Sequence, residues 1–240
     1  MSALLGVLGG MGPLATVDFL GKLIAETPAT RDAEHIPVVV YSVPQIPDRP
    51  RAILENGESP LPAMLKGIRT LKAAGAACIA IPCNTAHYWY DDLVREGGLP
   101  ILHIAEAACA QFAARSIRAD TVGLIATQGT LAAGFFQARL GALGYRCIAN
   151  TAADQESLVL PAIERVKRNE LPQAHALIVR AAQNLHAQGA QAIILACTEI
   201  PLALEYEAAD IAGVCVDATR ALAQACVAWS RAQRTPRLDK

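Results

Sequence analysis

Two kinds of apolar segment alternate along the chain. Leu4–Leu8, Ile36–Val43, Cys78–Ile81, Val122–Ala126 and Ala192–Ala196 are short and largely Val, Ile, Leu and Ala. Runs of that length and composition predict buried strands. Pro62–Ala74 and Gln173–Gln188 are longer and mix apolar with polar positions at helical spacing, which predicts amphipathic helices. Each of these helices stops beside a glycine, Gly75 or Gly189, as a C-terminal cap requires. Strands alternating with helices predict a mainly parallel sheet covered on both faces. Ligands of such sheets lie beyond the carboxyl ends of the strands.

The pattern occurs twice. Leu71-Lys-Ala-Ala-Gly75 through Pro82-Cys83-Asn-Thr85 resembles Leu185-His-Ala-Gln-Gly189 through Ala196-Cys197-Thr-Glu199, at a constant offset (185 − 71 = 197 − 83 = 114). Val7-Leu-Gly-Gly-Met-Gly12-Pro-Leu14 matches Leu124-Ile-Ala-Thr-Gln-Gly129-Thr-Leu131 at 117 (124 − 7). Two matches in the same order at nearly the same spacing point to duplication. The expected fold is therefore α/β, with two similar domains related by a pseudo-twofold axis. Each holds a mainly parallel sheet flanked by helices, and the active site lies in the cleft between them. Residues 1–113 form the first domain and 114–214 the second. The strand ending at Asp217 and the helix from Ala218 echo Leu99–Ile104 and its following helix, and residues 215–240 are expected to complete the first domain.

Composition narrows the function. The 240 residues are 53% hydrophobic and 5% aromatic, enough for two domains each with its own core. Lys and Arg number 21 against 22 Asp and Glu, so no basic excess suggests a nucleic-acid or membrane-surface partner. Tyr88-Trp89-Tyr90 lacks the interleaved basic residues of a single-strand binder and reads as packing. The N-terminal segment has no basic leader, and no later stretch is long and apolar enough to span a bilayer. Seven cysteines scattered through apolar segments do not read as a disulfide scaffold, and the expected compartment is a reducing cytoplasm. None forms a Cys-x-x-Cys pair, so no metal site is expected.

Cys83 and Cys197 stand apart from the other five. Each ends a predicted buried strand, in matched positions of the repeat, with polar neighbours: Asn84 and Thr85, or Thr198 and Glu199. A single cysteine there is most simply a core residue; a matched pair argues for chemistry. Backbone N–H groups and a following helix dipole are expected to lower the thiol pKa values. Two thiols across a cleft suit proton removal from one face of a substrate Cα and return on the other. Cys78, Cys109, Cys147, Cys215 and Cys226 are assigned to packing.

Other positions carry weaker signals. Gly10-Met11-Gly12-Pro-Leu-Ala15 formally fits a dinucleotide fingerprint, but the strand ending near Val43 supplies no carboxylate for a ribose. The turn is read instead as a helix N-terminus for a substrate carboxylate, with nicotinamide binding as the minority view. Thr127 and Thr130 flank the equivalent turn of the second half. Pro44-Gln-Ile-Pro-Asp-Arg49 brings a guanidinium towards the cleft rim, suited to a carboxylate. Lys167, in a charged helical stretch, reads by itself as solvated surface. His87 is either a base partner for Cys83 or the start of the next helical turn.

Together, Leu8-Gly-Gly-Met-Gly-Pro-Leu-Ala-Thr16, Pro82-Cys-Asn-Thr-Ala-His87 and Cys197-Thr-Glu199 resemble the aspartate racemase branch of the aspartate/glutamate racemase family. Pro44–Arg49 and Ala126–Thr130 fit the same branch, and only the tail from Arg231 to Lys240 lies outside it. The resemblance implies a racemase without pyridoxal phosphate or any other cofactor, acting on a small acidic amino acid, and commonly a homodimer. It implies that Cys83 and Cys197 are the acid/base pair. Asn84, Thr85 and Thr198 would hold the α-carboxylate and amino group, and Arg49, Lys167, Thr127 and Thr130 would serve recognition. Met11 and Glu199 complete the expected substrate-binding set. Cys-Thr-Glu in place of Cys-Thr-His leans towards aspartate over glutamate. A glutamate or broad-specificity racemase, a maleate isomerase of the same superfamily, and a non-catalytic binding protein are the alternatives.

Overall fold

The computed structural model describes residues 3–115, 119–205 and 214–233. The first half runs β1 (Leu5–Gly9), α1 (Pro13–Glu26), β2 (Val38–Ser42), α2 (Arg49–Leu54), α3 (Leu61–Ala73), β3 (Cys78–Ala80), α4 (Tyr90–Gly97), β4 (Ile101–Leu102) and α5 (Ile104–Ala114). The second runs β5 (Thr121–Ala126), α6 (Gln128–Ala133), α7 (Phe135–Ala142), β6 (Arg146–Ala149), α8 (Ala152–Asp154), α9 (Leu160–Lys167), α10 (Leu171–Ala187), β7 (Ala192–Ala196), α11 (Ile200–Glu205), β8 (Cys215–Asp217) and α12 (Ala218–Gln233). The sheets have the orders β2-β1-β3-β4 and β6-β5-β7-β8, parallel throughout. Four strands in the same order, twice over, are the duplication in three dimensions, and the α/β fold expected of the sequence is the one observed.

Strand periodicity divides the interior. Leu5 and Val7 of β1, Val122, Leu124 and Ala126 of β5, and Ala192, Ile194 and Ala196 of β7 share one core with Phe19, Phe112 and Phe136. The intervening residues face outwards into separate cores: Leu8 and Ile79 under α3 and α4, Ile125, Ile193 and Leu195 under α9 and α10. Both faces of the central strands β1, β3, β5 and β7 are buried, so these strands read as continuous apolar runs. α12 packs against α1 and α5, while β8, immediately before it, pairs with β7 in the second sheet. The chain therefore crosses from the second sheet to the first half between Asp217 and Ala218.

The two long helices end as the sequence indicates: Gly75 and Gly189 take left-handed φ values of +92° and +97°. The Leu99–Ile104 strand is shorter than expected. Pro100 precedes it, and His103 leaves it to cap α5, its ring accepting from the Ala105 N–H at 3.1 Å.

Candidate active site

The carboxyl ends of β1, β3, β5 and β7 converge on a cleft between the halves that is partly open to solvent. Met11 follows β1; Cys83, Asn84 and Thr85 follow β3; Thr127 follows β5; Cys197, Thr198 and Glu199 follow β7; all of them line it. Arg49 enters from the start of α2 and Lys167 from the end of α9. Every substrate-binding candidate except Thr130 lies on its wall. Thr130 is directly behind: its hydroxyl is 2.8 Å from that of Thr85 and 3.0 Å from that of Thr127, and Thr85 and Thr127 are 2.9 Å apart. This triangle joins the two halves at the floor of the site. Asp48, Pro50 and Ile163 also line the cleft and were not singled out by sequence. Asp48 lies inside the motif quoted for Arg49, but Ile163 is one apolar residue among many and gave no signal.

The glycine turn after β1 is shaped by sterics. Gly10 has φ +94°, and a Cβ there would lie 2.4 Å from the Val43 backbone. The Gly10 N–H donates to the Thr16 hydroxyl at 2.9 Å, so this amide is occupied locally. At Gly12 a Cβ would come within 3.3 Å of Glu199 Oε1. Glu199 thus stands beside the turn that the sequence reads as a site for a substrate carboxylate.

Both thiols are buried, and burial dominates their ionisation. Desolvation raises Cys83 above the ordinary thiol value, opposed by the Arg49 guanidinium and the Ala86 N–H, while Glu199 adds to the rise. Desolvation raises Cys197 further, and the Glu199 carboxylate adds to it; the Glu199 N–H and Lys167 oppose. Cys197 Sγ donates to Glu199 Oε2 at 3.1 Å. The expected lowering of both thiols does not occur. Cys83 is followed by a tight 3₁₀ turn, Thr85–Trp89, and so does not sit at the start of a long helix. A few N–H groups do not outweigh the removal of water.

His87 does not touch the Cys83 thiol. Its Nδ1–H donates to the Cys83 carbonyl at 2.9 Å, and its Nε2 accepts from the Ile104 N–H at 3.3 Å. Burial pulls its pKa down to about 4, so the ring is neutral and braces the Cys83 loop. Asn84 differs: its side chain is buried on the cleft wall, and neither its Oδ1 nor its Nδ2 has a partner among the described residues. A buried amide with both ends unmatched calls for a ligand carrying a donor and an acceptor. The other five cysteines pack in strands and helices without disulfides, with burial raising each thiol. Among the described residues no cluster of three or more His, Cys, Asp or Glu suits a metal ion, and no helix is long and apolar enough to cross a membrane.

Known proteins resemble this chain in sequence and fold. The sequence profile of the Asp/Glu/hydantoin racemase family matches residues 8–226. A broad specificity amino-acid racemase of Bacillus subtilis is 28% identical over 231 residues, 93% of this chain and 96% of its own. The structure of an aspartate racemase from Picrophilus torridus superposes with a TM-score of 0.83 at 31% identity, over 97% of this chain and 95% of that one. An aspartate racemase homologue from Pyrococcus horikoshii shares the fold, with a TM-score of 0.75 at 22% identity over 96% of this chain and all of its own (100%). Duplicated sheets, a cleft at their shared carboxyl ends and full-length likeness to racemases lead to one assignment: the chain belongs to the Asp/Glu/hydantoin racemase family and is an isomerase.

Proposed function

We propose that the protein racemises an acidic amino acid, aspartate foremost, by two-base proton transfer between Cys83 and Cys197 without a cofactor. The observation carrying this reading is that the two cysteines at the ends of the equivalent strands β3 and β7 open on one cleft. One thiolate takes the Cα proton, and the electron pair stays on Cα. The opposite thiol then protonates the other face and inverts the centre. Asn84 supplies a donor and an acceptor for the carboxylate and ammonium groups. Arg49 and Lys167 supply the positive charge that an acidic substrate and a developing carbanion need. Thr85, Thr127 and Thr198 add hydroxyls, and Met11 closes the apolar side.

Catalysis by thiols requires a reducing compartment, consistent with a cytoplasmic enzyme, and the family resemblance implies a homodimer. Light scattering of the purified protein tests that assembly. Broader substrate range is the second reading. A hollow lined by Gly12, Leu14, Ala15 and Val166 adjoins the cleft and shares Lys167 and Glu199 with it, leaving room for longer side chains. The deciding experiment incubates reduced protein with L- or D-aspartate in D2O, without added cofactor, and separates the enantiomers. Inversion with deuterium at Cα supports the reading, and no inversion of any amino acid tried, glutamate included, overturns it.

A further inference from the structure

The repeat makes the two cysteines equivalent in sequence position, but their surroundings are not equivalent. Cys83 faces the Arg49 guanidinium and the Ala86 N–H. Cys197 instead donates its S–H to Glu199 Oε2 at 3.1 Å, and the Thr198 hydroxyl lies 3.4 Å from the same oxygen. The other oxygen of Glu199 lies 3.3 Å from where a Cβ on Gly12, just before α1, would stand. Glu199 is 6% exposed, so its charge is only weakly screened by water. Lys167 is the cation that opposes the rise at Cys197, and it is an exposed side chain at the end of α9. Asp48, the remaining acid on the cleft wall, is held as the cap of α2 by the Arg51 N–H at 2.8 Å. His87 is neutral and bonded to backbone.

We infer that Glu199 is a positioning residue that keeps Cys197 protonated, so that Cys83 is the first thiol to ionise and the two halves of the duplicated site start each cycle in different protonation states. The inference rests on the two-thiol reading of the cleft and adds an order to it. The form in which Cys83 alone has ionised is ready for the enantiomer whose Cα–H faces Cys83. That proton passes to Cys83 Sγ, the Cys197 S–H bond breaks, and its proton adds to the opposite face of Cα. Cys197 is left as a thiolate beside Glu199. Two negative charges at that distance favour return of a proton to Cys197 and loss of one from Cys83, and no net proton is consumed. The opposite enantiomer needs this less stable form. Racemisation has an equilibrium constant of one, so kcat/KM is shared by the two enantiomers. The asymmetry therefore appears as a matched difference in kcat and KM.

The test measures thiol reactivity, which needs no substrate. The purified protein is treated with iodoacetamide across a pH series, and the rate at each cysteine is followed by peptide mass mapping. In the wild-type protein, Cys83 is expected to react faster than Cys197 and to reach its plateau at lower pH. Glu199→Gln removes the negative charge and should speed Cys197 by about tenfold, the effect of about one pKa unit. Glu199→Asp, which keeps the charge, should restore the gap. Equal or reversed wild-type rates, or a gap that fails to narrow in Glu199→Gln, overturn the inference. If Glu199→Gln does not fold, the wild-type pH series decides alone. Racemisation with Cys197 ionising first would sink this inference and leave the two-thiol reading standing. Ordered thiols without racemisation would do the reverse.

Discussion

At the scale of single residues, the cleft depends on groups whose neighbours determine their charge. In the proposed two-thiol mechanism each inversion uses both thiols, so Cys83→Ala and Cys197→Ala should each abolish racemisation in both directions. In D2O, either variant should still exchange the Cα proton of one enantiomer only, and chiral chromatography with mass spectrometry reads both effects. His87 and His103 show the same dependence on surroundings. Burial holds His87 at about 4, and burial together with the neighbouring His87 holds His103 at about 2, against 6.5 for the free ring. Between these values and 6.5 the unfolded chain binds the extra protons, so stability is complete above pH 6.5 and falls as pH drops below it. At pH 5 each ring should have cost about 2 kcal/mol. Urea unfolding at pH 7.5 and pH 5 should show this loss, and His87→Gln should reduce the difference.

At the scale of elements, the turns decide where the side chains go. Gly10 lets the β1 turn pass against Val43, and this turn delivers Met11 and the N-terminus of α1 to the cleft. Gly10→Ala combines a left-handed φ with a backbone collision, and should lower stability by about 1–3 kcal/mol or more, measured by thermal unfolding. The glycine pattern and the strand ends were legible in sequence because they follow from local sterics and a period of two. The 3₁₀ turn after Cys83 was not. Pro82-Cys-Asn-Thr-Ala-His reads as a helical start, whereas bonding of the His87 ring to both Cys83 and Ile104 ties the segment down across β4, a partner remote in sequence.

At the scale of the whole molecule, the halves are joined by the shared core, the threonine triangle and a buried ion cluster. Lys22 of α1, 4% exposed, lies 2.7 Å from Asp18 and 2.7 Å from Asp217, which stands at the end of β8. Arg220 of α12 extends the link to Glu26 at 2.9 Å. Lys22→Met leaves two carboxylates facing each other without their cation, and should cost about 3–5 kcal/mol in denaturant unfolding. The loss should exceed that of Arg168→Met, whose pair with Glu164 is exposed on both sides.

The amino-acid order alone determined the duplication, the parallel α/β layout, the placement of Cys83 and Cys197 at strand ends, and the polar residues beside them. These are local properties: side-chain alternation, turn chemistry and the spacing of a repeat act within a few residues. The family resemblance picked out Lys167, which its charged helical surroundings alone did not. Only the tertiary structure decided how the site is charged. It set Glu199 against α1 and Cys197, Arg49 beside Cys83, and His87 on backbone partners, and it removed enough water to raise both thiols where local dipoles suggested lowering. Desolvation and Coulomb energies depend on atoms brought together from distant parts of the chain. Two halves that match in sequence therefore surround their thiols with different charges.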